Sequence, residues 1–129
     1  MLVVIDTNIL VSAFWSKQGN PSKIIGLVQN RVITPCYDYR ILAEYKEVLM
    51  RSKFKFEMWE VCDLLAQIQH DGLSVSAKTL DVVFVDEEDI KFYEVAKQCS
   101  AALITGNIKH FPNEDFILTP AQFLGLYSN

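Results

Sequence analysis

The chain begins with a short apolar run that ends abruptly in a carboxylate. Leu2-Val3-Val4-Ile5 has the composition of a buried strand, and Asp6 follows it immediately. Burying an ionised carboxylate is costly unless a cation or hydrogen-bond donors accompany it. At the C-terminal end of a parallel strand, however, such a group lies where open α/β sheets bind their ligands. Asp6 therefore predicts a site at the strand end, to which the rest of the chain must supply partners.

The composition is that of one ordinary domain. The 129 residues are 50% hydrophobic, which is enough for a core but too little for two domains, so we expect a single domain over residues 1–129. The N-terminal apolar run is too short for a signal peptide or a membrane span, which favours a cytoplasmic protein.

Three widely spaced cysteines, Cys36, Cys62 and Cys99, predict buried reduced thiols. A net charge of −4 argues against coating nucleic acid electrostatically, but not against an enzyme that uses bound cations.

Strand and helix patterns alternate along the chain. Hydrophobic patterning and flanking turn residues predict strands at residues 2–5, 32–34, 80–85, 101–105 and 116–119, the second of them ended by Pro35. Apolar stripes and capping signals predict helices beginning at Asn20-Pro21 and at about residues 38–51, 57–70 and 86–100. Strands separated by helices imply a mostly parallel sheet covered on both faces.

Three further segments supply candidate partners for Asp6, and each has a purely structural alternative. Glu44 lies at the border of the apolar stripe of its helix, where a solvated carboxylate is equally natural. Asp89 faces inward, whereas its acidic neighbours face solvent, but it also suits a helix-capping box. Asn107 follows the strand at residues 101–105, in a Gly-Asn pair that also suits a simple turn.

Taken together, these residues resemble the PIN domain, a family of metal-dependent nucleases named for the PilT N-terminus. The resemblance rests on four segments in order: the opening Val3–Ala13 stretch, Ala43-Glu44 in an apolar helix, Asp89 with Phe92 and Ala96, and Leu103–Phe111. It implies a three-layer α/β/α sandwich around a mostly parallel sheet, Mg²⁺ or Mn²⁺ as the cofactor, and RNA as the substrate.

The resemblance also assigns roles to individual residues. It implies that the metal is bound by Asp6, Glu44 and Asp89, with Asn107 at the fourth catalytic position and Asn8 and Thr105 in support. Many members of the family have a fourth acid where this chain has Asn107, so we expect a weaker second metal site; Asp115 is an alternative ligand for that place.

The chemistry explains why carboxylates are needed. Mg²⁺ prefers oxygen ligands and keeps several waters, so one or two carboxylates per ion suffice. A bound ion makes its water a better nucleophile and offsets charge on the phosphate. From the family we expect products with 5′-phosphate and 3′-hydroxyl ends. Before metal binds, like-charge repulsion should raise the pKa of at least one of the three acids.

RNA contacts are less clearly marked in the sequence. We predict them at Lys46, Lys109 and His110. The basic segment at the end of the helix predicted at residues 38–51 interleaves lysines with Phe54 and Phe56, which suits phosphate contacts and base stacking. A solvated helix end explains that segment equally well.

The sequence thus predicts a divalent-metal-dependent endoribonuclease. The likeness to toxin members of the family predicts the toxin of a toxin–antitoxin pair, a homodimer that binds an antitoxin protein, with the aromatic helix around Trp59 as a candidate interface. Two alternatives stay open: a non-catalytic RNA- or protein-binding module on the same scaffold, and an RNA-processing nuclease that is not a toxin. A receiver domain is disfavoured because no paired acids follow the first strand, and a haloacid-dehalogenase-type phosphatase because Asn8 replaces the second acid of its Asp-x-Asp motif.

Overall fold

A computed structural model of the chain describes residues 1–127, which form five strands and six α-helices. The strands are β1 (Leu2–Ile5), β2 (Thr34–Tyr37), β3 (Leu73–Ser74), β4 (Ala102–Ile104) and β5 (Ile117–Leu118). The helices are α1 (Thr7–Trp15), α2 (Asn20–Gln29), α3 (Tyr39–Leu49), α4 (Met58–Asp71), α5 (Ile90–Cys99) and α6 (Pro120–Tyr127). The predicted α/β/α sandwich is confirmed.

The sheet is parallel throughout, with the strand order β3-β2-β1-β4-β5. The chain leaves β1 toward β2 on one side and later returns to place β4 on the other side. Ligands of open parallel sheets bind outside the strand ends at such a switch point. Asp6 follows β1 directly and Thr105 follows β4 directly, so the register of Ile5 with Ile104 places both residues at this crevice.

The centre of the sheet explains the apolar run that opens the sequence. Val3, Val4 and Ile5 are each at most 1% exposed. Helix α5 packs across β1, β2 and β4, while α1 packs against α2 and α3. A parallel strand covered on both faces has no solvent side, so its residues are continuously apolar. Each such side chain contributes about 1.5–3 kcal/mol on burial, which fixes the strand that carries Asp6.

The predicted strand at residues 80–85 is wrong. Within the described chain this segment pairs with none of the five strands, because β3 already occupies the edge of β2. Its side chains still alternate: Phe84 packs on Tyr93 with ring centroids 5.4 Å apart, whereas Val83 is 100% exposed. The alternating pattern therefore reflects a segment that buries one row of side chains without pairing with any of the five strands.

Other differences concern element boundaries. Strand β2 begins at Thr34 and continues through Pro35, where we predicted its end; the proline lies close to the start of the strand, where loss of an N–H is best tolerated. No pattern in the sequence predicts α1 or α6, because both are rich in apolar residues. The predicted helices at residues 38–51 and 57–70 are confirmed, with ends shifted by one or two residues. The predicted helix at residues 86–100 begins as a 3₁₀ turn and continues as α5.

The cysteines are free thiols, as predicted, but only Cys36 is buried; Cys62 is exposed and Cys99 half-buried. Among residues 1–127, none of the helices has the length and apolar character needed to cross a lipid bilayer.

Gly72, which ends α4, provides a test of the packing between that helix and β2. A Cβ atom at this position would lie 2.3 Å from the Ile68 carbonyl oxygen and 2.7 Å from that of Pro35. Both contacts are with backbone, which cannot rotate away. We expect Gly72→Ala to lower the free energy of unfolding by about 1–3 kcal/mol, measured by urea denaturation.

Gly26 is the matched control for this substitution. It lies inside α2, and a Cβ atom there would meet nothing within 4 Å. Gly26→Ala should therefore raise the free energy of unfolding by about 0.5–1 kcal/mol through helix propensity. Equal effects of the two substitutions would contradict the close approach at Gly72.

Candidate metal centre

Asp6 is a buried carboxylate held between two strand ends. Asp6 is only 4% exposed. Its backbone N–H donates to the Ile104 carbonyl at 3.0 Å. Asp6 also caps α1, because its Oδ1 accepts the Asn8 backbone N–H at 3.4 Å. The positive end of that helix and this N–H partly offset the cost of burying the charge.

Thr105 supplies the strongest support for Asp6. Its hydroxyl donates to Asp6 Oδ2 at 2.8 Å and accepts the Asn107 backbone N–H at 3.0 Å. Thr105 is fully buried. Thr105 thus contacts the Asp6 carboxylate directly, whereas Asn8 contributes its backbone N–H and is itself exposed. The supporting roles of both residues stay predictions.

Glu44 is brought to the same crevice by α3. The Tyr45 hydroxyl donates to the Ile5 carbonyl and thereby ties α3 to the end of β1. Glu44 Oε2 accepts the Thr7 hydroxyl, and Glu44 Oε1 lies 2.8 Å from the Lys91 ammonium. The side chain of Glu44 is 25% exposed, which fits a border position. Both of its oxygens are thus already engaged by neighbours.

Lys91 is a site residue that the sequence analysis missed. It is 7% exposed and also donates to the Glu88 backbone carbonyl. In the sequence, Lys91, Glu94 and Gln98 share one polar stripe at helical spacing, which assigns Lys91 to solvent, whereas the structure buries α5 continuously from Lys91 to Ala96. The only signal is its position two residues after Asp89. Thr7 was likewise missed, although it lies inside the Asp-Thr-Asn motif.

Asp89 enters the site at the start of α5. Its side chain is 17% exposed and its Oδ2 lies 3.5 Å from His110 Nδ1. The capping role falls instead to Asp86, which accepts the Glu88 backbone N–H at 3.0 Å. His110, which we predict as an RNA contact, thus lies beside Asp89, and its contact with RNA stays a prediction.

The other predicted residues lie farther out. Asn107 and Lys109 are exposed in the segment after β4. Lys46 is exposed on α3, about 200° around the helix from Glu44, so the structure does not bring it to the centre. Asp115 is exposed just before β5.

The acids of this site influence one another electrostatically. Burial raises the pKa of Asp6, and the negative charge of Glu44 raises it further, while Thr105, Asn8 and Lys91 lower it. Burial likewise raises the pKa of Asp89, followed by the charges of Asp6 and Asp86, with His110 opposing. The expected rise in pKa is present, but burial rather than like-charge repulsion is its largest cause.

The side chains of this site supply only some of the oxygen ligands that a hard divalent cation needs. Across residues 1–127, no group of three or more His, Cys, Asp or Glu side chains is arranged to hold a metal ion. Glu44 instead accepts the Thr7 hydroxyl and pairs with Lys91. Asp6 and Asp89 offer carboxylate oxygens whose raised pKa values a cation would relieve, and Mg²⁺ requires only one or two such ligands.

A groove of about 860 Å³ opens beside Glu44 and Lys91. It lies between α3 and α5, and Arg40 and Arg51 contribute to its walls. Arg40 is fixed at 2.7 Å from both Asp38 and Glu94, so this wall of the groove is a rigid contact between the two helices. The groove gives an extended ligand access to the Glu44 side of the site.

The comparison with known proteins agrees with this geometry. The family model of the PIN domain matches residues 2–109, and the chain therefore belongs to the PIN domain family, which has a nuclease-type fold. The chain is also similar to the uncharacterized protein MJ1680 of Methanocaldococcus jannaschii. The two are 30% identical over 108 residues, which cover 81% of this chain and 70% of that relative.

Substitution of Asp6 tests the electrostatic account without any RNA. The folded pKa of Asp6 lies above its ordinary value of 3.8, so the folded state favours the protonated carboxyl. The stability from this group is present at low pH and is lost as the pH rises through the folded pKa. In EDTA, Asp6→Asn should therefore equal or exceed the wild type in free energy of unfolding at pH 7, and its stability should depend less on pH.

Urea denaturation at a series of pH values measures this difference. Asp115→Asn, at an exposed acid, is the control and should leave the pH dependence unchanged. A loss of more than about 1 kcal/mol in Asp6→Asn, the typical cost of a point mutation, would show that Asp6 is a structural rather than a ligand-binding carboxylate.

Proposed function

We propose that the protein is a divalent-metal-dependent endoribonuclease that hydrolyses RNA phosphodiester bonds. The observation that carries the proposal is the pair of partly buried acids, Asp6 and Asp89, at the switch point of a parallel sheet. Burial raises the pKa of both acids, and the charge of Asp6 raises the pKa of Asp89 further. Without a cation this arrangement has no structural advantage, because neutral side chains of the same shape would be more stable there.

Asp6 and Asp89 would hold the ion, either Mg²⁺ or Mn²⁺. When bound, the ion lowers the pKa of a coordinated water and offsets negative charge on the scissile phosphate. Thr105 and the Asn8 backbone N–H fix the Asp6 carboxylate in one orientation. His110 does the same for Asp89 from the solvent side. No side chain of the site needs to act as a nucleophile.

Lys91 and Glu44 have a second role in this proposal. Glu44, held by the Thr7 hydroxyl, fixes the Lys91 ammonium in a buried position. A fixed ammonium near the scissile phosphate supplies the positive charge that a second ion provides in two-metal nucleases. Asn107, which is neutral and exposed, is consistent with a site that binds one ion through protein carboxylates.

Cleavage assays test the nuclease proposal directly. With a fluorescent single-stranded RNA and Mn²⁺, the wild type should cleave and EDTA should stop cleavage. Asp6→Asn and Asp89→Asn should each reduce the rate at least about a hundredfold, the scale of a lost transition-state contact. Asp115→Asn, at an exposed acid outside the site, should cleave at the wild-type rate. Loss of activity in Asp115→Asn, with activity retained in the other two variants, would show that Asp115 binds the metal in place of Asp6 and Asp89.

A non-catalytic module is the second candidate, favoured by the lack of a three-acid group among the described residues. A calorimetric Mn²⁺ titration separates the two functions. Binding that disappears in Asp89→Asn supports the nuclease; no binding, or binding unaffected by that substitution, supports a scaffold for RNA or protein.

The Glu44–Lys91 pair can be tested by a double-mutant cycle. Glu44→Gln and Lys91→Met each leave the charge of the other residue without its counter-charge. Each substitution should therefore lower the free energy of unfolding by about 1–3 kcal/mol. This is less than for a fully buried pair, because the Glu44 side chain is 25% exposed. The double variant should recover most of that stability but cleave RNA as slowly as Lys91→Met.

The two readouts separate a catalytic from a structural role. A double variant that regains both stability and wild-type cleavage would contradict the function of the Lys91 ammonium and leave the pair as a structural contact.

The wider biological role rests on the family likeness. We infer that the protein is the toxin of a toxin–antitoxin pair, acts in the cytoplasm as a homodimer, and is blocked by an antitoxin protein. Trp59, which is 68% exposed on α4, is a candidate contact for the antitoxin. An RNA-processing role without an antitoxin is the alternative. A neighbouring open reading frame whose product binds the protein and stops cleavage would support the toxin; its absence would favour RNA processing.

A further inference from the structure

An aromatic cluster lies at the far end of α1 from the metal centre. We call it the aromatic platform and define it as Trp15, Phe54 and Phe56. The two phenylalanine rings are stacked with centroids 5.1 Å apart and an angle of 4° between their planes. The Trp15 ring meets them edge-on, at 86° to Phe54 and 83° to Phe56. These near-perpendicular contacts hold the indole against the two phenylalanine rings.

Much of the Trp15 indole is open to solvent, because Trp15 is 66% exposed. Between the two phenylalanines, Lys55 has φ = 54° and ends the 3₁₀ turn Ser52–Phe54 as its left-handed C-cap. The rings on either side of this cap stack on each other. The platform therefore combines an accessible indole with two stacked rings.

The charge around the platform is opposite to that of the whole chain. The segment from residue 51 to residue 57 contains three basic residues and one acid, in a chain of net charge −4. The Lys53 ammonium lies 5.2 Å from the centre of the Phe54 ring. Among the ion pairs of the described residues, none involves Lys53 or Lys55. Both ammonium groups are available for phosphates.

A solvent-exposed track joins the platform to the metal centre. Asn8, Ser12 and Trp15 lie on one face of α1 at helical spacing, and all three are exposed. Thr7, whose hydroxyl binds Glu44, is eight residues before Trp15, so the platform is about 12 Å along the helix from the site. A few nucleotides of single-stranded RNA span such a distance.

We propose that the aromatic platform is a substrate-binding subsite at which an unpaired base of the RNA stacks on Trp15 while Lys53 and Lys55 contact its phosphates. The combination of an exposed aromatic side chain with lysines outside the ion pairs of the described residues is the chemistry that binds single strands without sequence preference. The local positive charge favours RNA over a second copy of this acidic chain. This inference rests on the proposed nuclease function.

The two tryptophans of the chain provide a matched test. Trp15 and Trp59 are 66% and 68% exposed, but only Trp15 belongs to the platform. In an Asp6→Asn background, which prevents cleavage, Trp59→Phe leaves Trp15 as the only fluorophore of this kind, and Trp15→Phe leaves Trp59. Titration with a short single-stranded oligouridylate should quench Trp15 emission and leave Trp59 emission unchanged.

Affinity measurements complete the test. By fluorescence anisotropy of the labelled oligonucleotide, Trp15→Ala should weaken binding about tenfold, and Trp59→Ala by less than about twofold. RNA binding without quenching of Trp15, or with equal effects of both alanine variants, would overturn the proposal. A change of mass in sedimentation by Trp15→Ala, with RNA affinity unaltered, would also overturn it and assign the surface to a second copy.

These results are separable from the nuclease proposal. If RNA quenches Trp15 but the wild type cleaves no RNA, the stacking subsite is supported and the nuclease proposal fails. If the wild type cleaves RNA and Trp15 has no role in binding, the nuclease is supported and the stacking subsite fails.

Discussion

The hydrogen bond from the Thr105 hydroxyl to the Asp6 carboxylate is the interaction on which the site depends. It joins residues 99 positions apart in the sequence, because β1 and β4 are parallel neighbours and therefore end at the same edge of the sheet. A carboxylate that is 4% exposed needs donors, and Thr105 together with the α1 N-terminus provides them. The charge of Asp6 in turn raises the pKa of Asp89, and we propose that a bound cation offsets the charges of both acids.

The charges of the centre are mostly negative. Asp6, Glu44 and Asp89 are joined by Asp86, whose charge raises the pKa of Asp89, and by Glu88, which lies 3.5 Å from the Lys91 ammonium. Lys91 pairs most closely with Glu44, at 2.8 Å. The charges of Asp6 and Asp89 are therefore the ones that the proposed ion would offset.

Much of the fold and part of the site could be predicted from sequence, for physical reasons that differ by element. A central parallel strand must be continuously apolar, so Leu2–Ile5 was unmistakable, and an acid directly after it had to be functional or compensated. Glu44 could be placed at a helix border by periodicity alone. Lys91 could not be found, because it shares with Glu94 and Gln98 a polar stripe that predicts a solvent-facing lysine, whereas residues 91–96 of α5 are all buried in the structure. The segment 80–85 was predicted as a strand because its side chains alternate, yet strand pairing depends on a free sheet edge, which the sequence does not show. Helix α1 was missed because it is apolar almost throughout and continues directly from a strand.

The central claim is that Asp6 and Asp89 together bind one divalent cation at the switch point of the sheet. Crystals of the protein grown with Mn²⁺, measured at a wavelength where manganese scatters anomalously, test it most directly. The account predicts one anomalous peak within coordination distance of carboxylate oxygens from both residues, with the Lys91 ammonium still paired to Glu44. A protein that binds no manganese there, or binds it at other residues, would contradict the account.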